Sequence, residues 1–385
     1  MDNDHGHDAD KEQPRPEELS DRERNELIQH LSDLSQRGYQ LLKEGFVDQA
    51  IDQFAEILTY DPDNNYALVG LGDAERKRRH FHDAIKHYER CLSVYPQNNY
   101  ALFGLADCYK SIRMYNRAIE VWEQYLKLDD NNVTVLTRVA DAYRKVKNLR
   151  RSREIYLRAL EVEKDNAYAL IGLGHLLYEF RDYQGAISYF RRIHEIDGPR
   201  VDIRVLTSIG NCYRKLKQYD KGRPFFEEAL ERDSGNFYAH FGLADCFRGL
   251  NRPQDSLVHW NAILAKDPKN KVILTRAGDA YRSMGEIPTA VEYYQKALKI
   301  EYDVYAVLGL AIIQKEEGQV DQAIVALEEA IRVDPKNARL YLELASCHET
   351  AGDAEAATQV LQRFQSHGAK HPAVSERLAR LSRRR

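Results

Sequence analysis

From residue 31 to residue 371, apolar and polar positions recur with a period of 34 residues. Ten units begin at residues 31, 65, 99, 133, 167, 203, 237, 271, 304 and 338; two residues are inserted before the sixth and one is missing from the eighth. In each unit the apolar positions fall on two stripes. Slots four, seven, eight and eleven share one helical face, and slots twenty, twenty-four and twenty-seven share another. This predicts two amphipathic helices joined by a turn near slots fourteen to seventeen.

Slot eight is always Gly or Ala (Gly38, Gly72, Ala106, Ala140, Gly174, Gly210, Ala244, Gly278, Ala311, Ala345), which predicts a close helix crossing. Slot twenty is its small counterpart, mostly Ala. Ser152, Gly222 and Ser256 depart from Ala there and predict three looser contacts. Slot twenty-four is large: Phe54, Tyr88, Trp122, Tyr156, Phe190, Phe226, Trp260, Tyr294, Leu327 and Leu361. A ring there fills the space between helix pairs, and burying one contributes roughly 2–3 kcal/mol. The last slot is Asn in seven units (Asn64, Asn98, Asn132, Asn166, Asn236, Asn270, Asn337), as an N-cap for the next helix requires. Pro62, Pro96, Pro268 and Pro335 sit two residues earlier, beyond a helix end.

The flanks differ. Residues 1–16 are polar and acidic and read as a disordered tail; His5, His7, Asp8 and Asp10 lack the neighbours that would complete a metal shell. Leu19, Leu27, Ile28 and Leu31 predict a helix over 17–30 that covers the first unit. Residues 372–385 form a basic amphipathic segment with Val374, Leu378 and Leu381 on one stripe, suited to cover the last apolar face. Pro199 and the insertion beside it predict an irregularity at 198–203.

Small residues at slots eight and twenty, an aromatic at twenty-four and Pro at thirty-two resemble the tetratricopeptide repeat, and the resemblance extends over residues 31–371. It implies an all-α, right-handed superhelical solenoid of antiparallel helix pairs. It further implies a concave groove, lined by the first helix of each pair, that takes an extended or helical segment of a partner protein. Slot four departs from the family pattern in preferring Leu to Trp. The carboxylate clamp that some members use for chaperone tails needs Lys at slot five and Asn at slot nine. Slot five here is Val69, Phe103, Thr137, Ile171, Thr207, Phe241 and Thr275, so chaperone-tail binding is not expected.

Composition narrows the function. A net charge of −4 supplies no field that demands nucleic acid or an anionic membrane, and no apolar run is long enough to insert in a bilayer. Five cysteines with no CxxC pair argue against a disulfide framework or zinc cage and favour a reducing, cytoplasmic setting. Cys108, Cys212, Cys246 and Cys347 share slot ten with alanines, as apolar fillers. His80, His82 and His87 sit near one turn and read as solvated. No nucleophile, phosphate-loop or metalloprotease motif occurs, so the expectation is a non-enzyme without cofactor or metal.

The candidate binding residues lie on the first helices. Slot nine carries Asp73, Asp107, Asp141, Asn211, Asp245 and Asp279; slot twelve carries Arg76, Lys110, Arg144, Arg214, Arg248 and Arg282. A spacing of three sets each acid beside a base, either as an intrahelical pair or as a ladder facing an extended peptide. Slot six alternates between Gly104, Gly172, Gly242 and Gly309 on one hand and Arg138, Ser208 and Arg276 on the other, a rhythm of about two repeats. The expected groove set is therefore Phe103, Asp107, Lys110, Arg138, Asp141, Arg144, Asn211, Arg214, Phe241, Asp245, Arg248, Arg276, Asp279 and Arg282, facing a partner with spaced acidic residues. Tyr66, Tyr100, Tyr168, Tyr238 and Tyr305 at slot two add contact surface. A basic rim of Arg76, Lys77, Arg78, Arg79, Lys145, Lys147, Arg150, Arg151, Arg214, Lys215 and Lys217 supports the competing reading, an RNA or ribonucleoprotein adaptor. Balancing acids and the lack of a stacking platform place it second. Neither the partner's identity nor the oligomeric state is written in the sequence.

Overall fold

The computed structural model describes residues 20–368 and 370–382. The tail expected at 1–16 lies outside the described residues, as do residues 17–19 of the expected leading helix. Among the described residues there are twenty-one α-helices, one short 3-10 helix and no strand. The helices come in consecutive pairs. In the third repeat these are Asn99–Ser111 and Tyr115–Leu126. All seven slot-thirty-four asparagines cap: Asn98 Oδ1, for example, accepts from the Ala101 N–H at 2.9 Å.

Each inter-helix turn hinges on one left-handed residue at slot fifteen. It is Gly45, Gly285, Gly318 or Gly352 in four repeats, Asn251 in one, and Arg79, Arg113, Lys147, Arg181 or Lys217 in the other five. Two backbone bonds close the turn, as in Arg113 N–H to the Lys110 carbonyl (3.0 Å) and Met114 N–H to the Tyr109 carbonyl (2.8 Å). A residue that carries Cβ gives up roughly 1–2 kcal/mol in this conformation, where glycine does not.

The chain falls into two compact units, one ending at Phe180 and the other beginning at Arg181. The N-terminal unit starts on a core of Leu34, Leu42, Ala50, Phe54, Ile57, Ala67, Leu71 and Ala74. Its opening helix corrects an expectation. The leading segment and the first helix of the first repeat are one helix, Asp21–Glu44, begun by a Ser20/Glu23 capping box and ended at Gly45. No Gly, Pro or cap interrupts the stripe around residue 30, so nothing stops the helix there. In the C-terminal unit a 3-10 turn, Gly198–Arg200, precedes the two inserted residues, the second of which, Asp202, caps the next helix. The helix Pro372–Ser382 buries Val374 and Leu381 in the last core cluster, with Leu378 packed against it.

The slot-twenty-four rings set the spacing of the stack. Four of the six phenyl or phenol rings lie between a glycine at slot eight of their own repeat and a glycine at slot six of the next. A methyl group on Gly72 would lie 2.6 Å from the Tyr88 ring, and one on Gly104 would lie 2.3 Å from it. Phe54 sits likewise between Gly38 and Gly70, Phe226 between Gly210 and Gly242, and Tyr294 between Gly278 and Gly309. The departures at slot twenty do not loosen the crossing. The Ser152 and Ser256 hydroxyls donate to the Ala140 and Ala244 carbonyls at 2.7 and 2.9 Å, satisfying buried oxygens across the pair. At Gly222 an added Cβ would come within 3.0 Å of the Gly210 carbonyl oxygen, so this crossing is tighter than an alanine allows.

Gly104→Ala tests the ring contact. Alanine in a helix interior normally adds roughly 0.5–1 kcal/mol of stability over glycine. Here overpacking against Tyr88 reverses the sign, and urea denaturation should show a net loss of about 1–3 kcal/mol. An unchanged or raised midpoint would refute the ring-in-glycine arrangement.

Candidate functional site

The slot-nine acids and slot-twelve bases do share a face, but neighbours close most of them. Two patterns alternate, and the ring below decides which. In two of the three tyrosine repeats the ring hydroxyl meets the acid: Tyr88 donates to Asp73 at 2.8 Å and Tyr294 to Asp279 at 2.7 Å. The slot-twelve base joins them. Arg76 bonds Asp73 (2.8 Å) and the Tyr88 hydroxyl (3.3 Å), and Arg144 bonds Asp141 (2.7 Å) and Glu179 (2.6 Å). Arg282 lies near both the Tyr294 hydroxyl and Asp279.

Where the ring is tryptophan there is no hydroxyl, and guanidinium groups from the adjoining repeats take its place. Asp107 is bonded by Arg138 of the following repeat and approached at 3.9 Å by Arg76 of the preceding one. Asp245 receives Arg214 from the preceding repeat, Arg248 from its own (2.8 Å) and Arg276 from the next (3.4 Å). The slot-six arginines stack as well as pair. Arg138 lies 5.0 Å from the centre of the Phe103 ring; Arg276 lies 5.5 Å from Phe241 and 5.9 Å from Trp260. Phe241 meets Trp260 edge-on at 5.3 Å. Asn211 accepts two bonds from Arg214, at 3.0 and 3.2 Å.

This corrects the expected groove set. Asp245 is only 6% exposed and saturated by three cations, and Asp107 is similarly enclosed, so neither is an open acceptor for a peptide. Arg138 and Arg276 are half-buried stacking groups that tie one repeat to the next. The arrangement was missed because the partners come from different repeats. The sequence does carry a signal: in both cases the slot-six arginine follows a tryptophan by sixteen residues, Trp122 to Arg138 and Trp260 to Arg276. Lys110 is half-buried and makes no side-chain bond among the described residues.

Four of the expected residues do converge on open space. Arg248, Arg276, Asp279 and Arg282 line a cleft of about 650 Å³ in the C-terminal unit, with Lys271, Val272, Thr275, Asp303, Tyr305 and Arg339. Five of these are cations and two are acids. Both acids are engaged, Asp279 by Tyr294 and Asp303 by the N–H groups of Tyr305 and Ala306. Nε of Arg276 and of Arg282 is buried with no acceptor. The slot-two tyrosines are exposed in both units, Tyr100 the most at 79%.

Other reactive groups are quiet. All five cysteines are buried, and burial pushes Cys108, Cys212 and Cys246 up to about 12. Glu75, His80 and Asp83 bring three possible ligand atoms within 4.8 Å of one another at one turn. Each carboxylate there already has a cation, Arg78 for Glu75 (3.3 Å) and Lys86 for Asp83 (2.8 Å), and the cluster is an ion-pair network.

Burial alone would raise the Asp245 carboxyl; Arg248, Arg276 and Arg214 outweigh it and hold the group below the usual carboxylate range. Stability from a depressed carboxylate is present above the unfolded value near about 3.9 and is lost as pH falls through the folded value. Asp245→Asn should therefore cost about 2–4 kcal/mol at neutral pH, because it strands three cations. The gap to the parent chain should close only below about pH 4. Denaturation across pH checks both, and a gap that is absent at pH 7 would refute the assignment.

Comparison with known proteins agrees with this geometry. Profiles described as tetratricopeptide repeat match residues 36–80, 70–133 and 137–199, then 203–236 and 273–304, then 315–381. The chain is 26% identical over 142 residues to a Hordeum vulgare protein named probable UDP-N-acetylglucosamine–peptide N-acetylglucosaminyltransferase SPINDLY, covering 35% of this chain and 15% of that one. It is 27% identical over 190 residues to the Hsp70-Hsp90 organizing protein of Triticum aestivum, covering 46% of this chain and 31% of that one. The match thus spans under a third of either relative's length. Among solved structures, Pseudomonas aeruginosa pilF aligns with a TM-score of 0.50 at 16% identity, covering 57% of this chain and 99% of that one, which supports the fold alone. With repeat profiles running from residue 36 to residue 381 over consecutive helix pairs, the chain belongs to the tetratricopeptide repeat family.

Proposed function

We propose that this protein is a non-enzymatic interaction scaffold, and that its C-terminal unit holds an acidic segment of a partner protein in the cleft around Arg248, Arg276 and Arg282. The observation that carries this reading is the cleft lining: five cations stand against two acids. Arg248 and Arg276 share Asp245 and Lys271 pairs with Glu301 at 2.7 Å, while Arg282 and Arg339 are in no ion pair among the described residues. Such a lining favours carboxylates and disfavours basic segments, giving specificity and a salt-dependent on-rate. Val272, Thr275 and Tyr305 supply the apolar and hydroxyl contacts that a peptide backbone and its side chains need. The relatives' names concern those proteins. Without Lys at slot five, this chain does not present the clamp associated with chaperone tails.

A displayed library of random peptides tests the proposal. Selection on the full chain should enrich Asp and Glu. Lys271→Ala with Arg339→Ala removes two cleft cations that lie outside the Asp245 cluster and should weaken the selected peptides about tenfold, equivalent to about 1.4 kcal/mol. Peptides without acidic bias, or affinity unchanged in the variant, would sink it.

A further inference from the structure

Gly at slot fifteen is the relaxed choice, and the chain uses it in the first, eighth, ninth and tenth repeats. The second to sixth repeats instead hold Arg79, Arg113, Lys147, Arg181 and Lys217 at φ of 57–64°, and the first three of these lie in the N-terminal unit. A cation near a helix C-terminus offsets part of the strain. Yet the helices before those three already carry Arg76 and Lys77, Lys110, or Arg144 and Lys145 in their last turn, in ordinary helical conformation. The strained side chains therefore add little to the helices that they end. Strain kept where a relaxed residue is available points to a use.

All three are exposed. Arg79 and Arg113 have no side-chain partner among the described residues, and Lys147 shares Glu179 with Arg144. The turns of the same unit also expose Phe46 (54%), Met114 (45%) and Phe180 (49%). First helices of adjacent repeats touch within this unit, Asp21–Glu44 against Asn65–Lys77 and the latter against Asn99–Ser111, so equivalent turns fall along one edge. Cations and apolar groups alternate along it. The last three turns of the C-terminal unit read Gly285-Glu286, Gly318-Gln319 and Gly352-Asp353 and lack both features.

We propose that the turn edge of the N-terminal unit is a second docking surface, for an extended acidic protein segment with aliphatic residues between its carboxylates. Exposed Arg, Met and Phe together have the composition of a protein–protein contact. A nucleic-acid track would set aromatic faces beside the cations to stack bases, and the rings here are separated by whole repeats.

The probe is a fluorescein-labelled peptide of repeated Glu-Glu-Leu triplets, read by anisotropy. The chain is full length and carries Lys271→Ala and Arg339→Ala, which weaken the C-terminal cleft, so that failure there is not confused with failure here. The peptide should bind, and Arg79→Gly with Arg113→Gly and Lys147→Gly should weaken it at least about tenfold. The thermal midpoint should hold or rise, because glycine is relaxed at these positions; a purely structural role for the cations predicts a lower midpoint and unchanged binding. No binding to the cleft-weakened chain, or affinity within twofold in the glycine variant, overturns the proposal. Tighter binding of a labelled single-stranded RNA, lost in the same variant, overturns it in favour of nucleic acid.

Discussion

One ring in each of the first eight repeats governs this molecule, and Leu327 and Leu361 take its place in the last two. At slot twenty-four a phenyl, phenol or indole is wedged between the small residue of its own helix pair and slot six of the next. Each repeat can bury its apolar faces only by receiving its neighbour, so the contact that closes one unit also orients the following one. The tolerance is that of a close-packed interior, where a single methyl group on Gly104 would overlap Tyr88.

The polar face follows from the same wedge. Tyr88 and Tyr294 reach through the crossing and present their hydroxyls to the slot-nine acid, and glycine at slot six lets them pass. A tryptophan is larger and has no hydroxyl in that place. The next repeat then supplies arginine, which stacks on the rings and neutralises the acid. The two-repeat rhythm at slot six is thus a packing rule with an electrostatic consequence. Much of the charge that resembles a ligand ladder is spent inside the array. What stays open is narrower: a cation-lined cleft in the C-terminal unit and a strained basic edge in the N-terminal one.

Much of the architecture was legible from residue spacing. Slot eight, slot twenty-four and the asparagine caps each rest on local sterics or a bond three residues away, and a linear pattern records both. The opening helix was misdivided because a repeat boundary is not a helix boundary unless a stop signal marks it, and residues 28–33 contain none. The serines at slot twenty were misread because their worth depends on a carbonyl across the pair.

The sequence by itself determined that the chain is all helical, where the pairs begin and end, and which residues pack between them, because helix periodicity and capping are short-range. It also set the identity of the polar groups on the first helices. Only the tertiary structure decided which of those groups remain available. Asp107 and Asp245 find their partners some thirty residues away in adjoining repeats, while Arg248, Arg282 and Arg339 converge on one cleft. Availability is a property of three-dimensional neighbours, and no slot within a single repeat contains them.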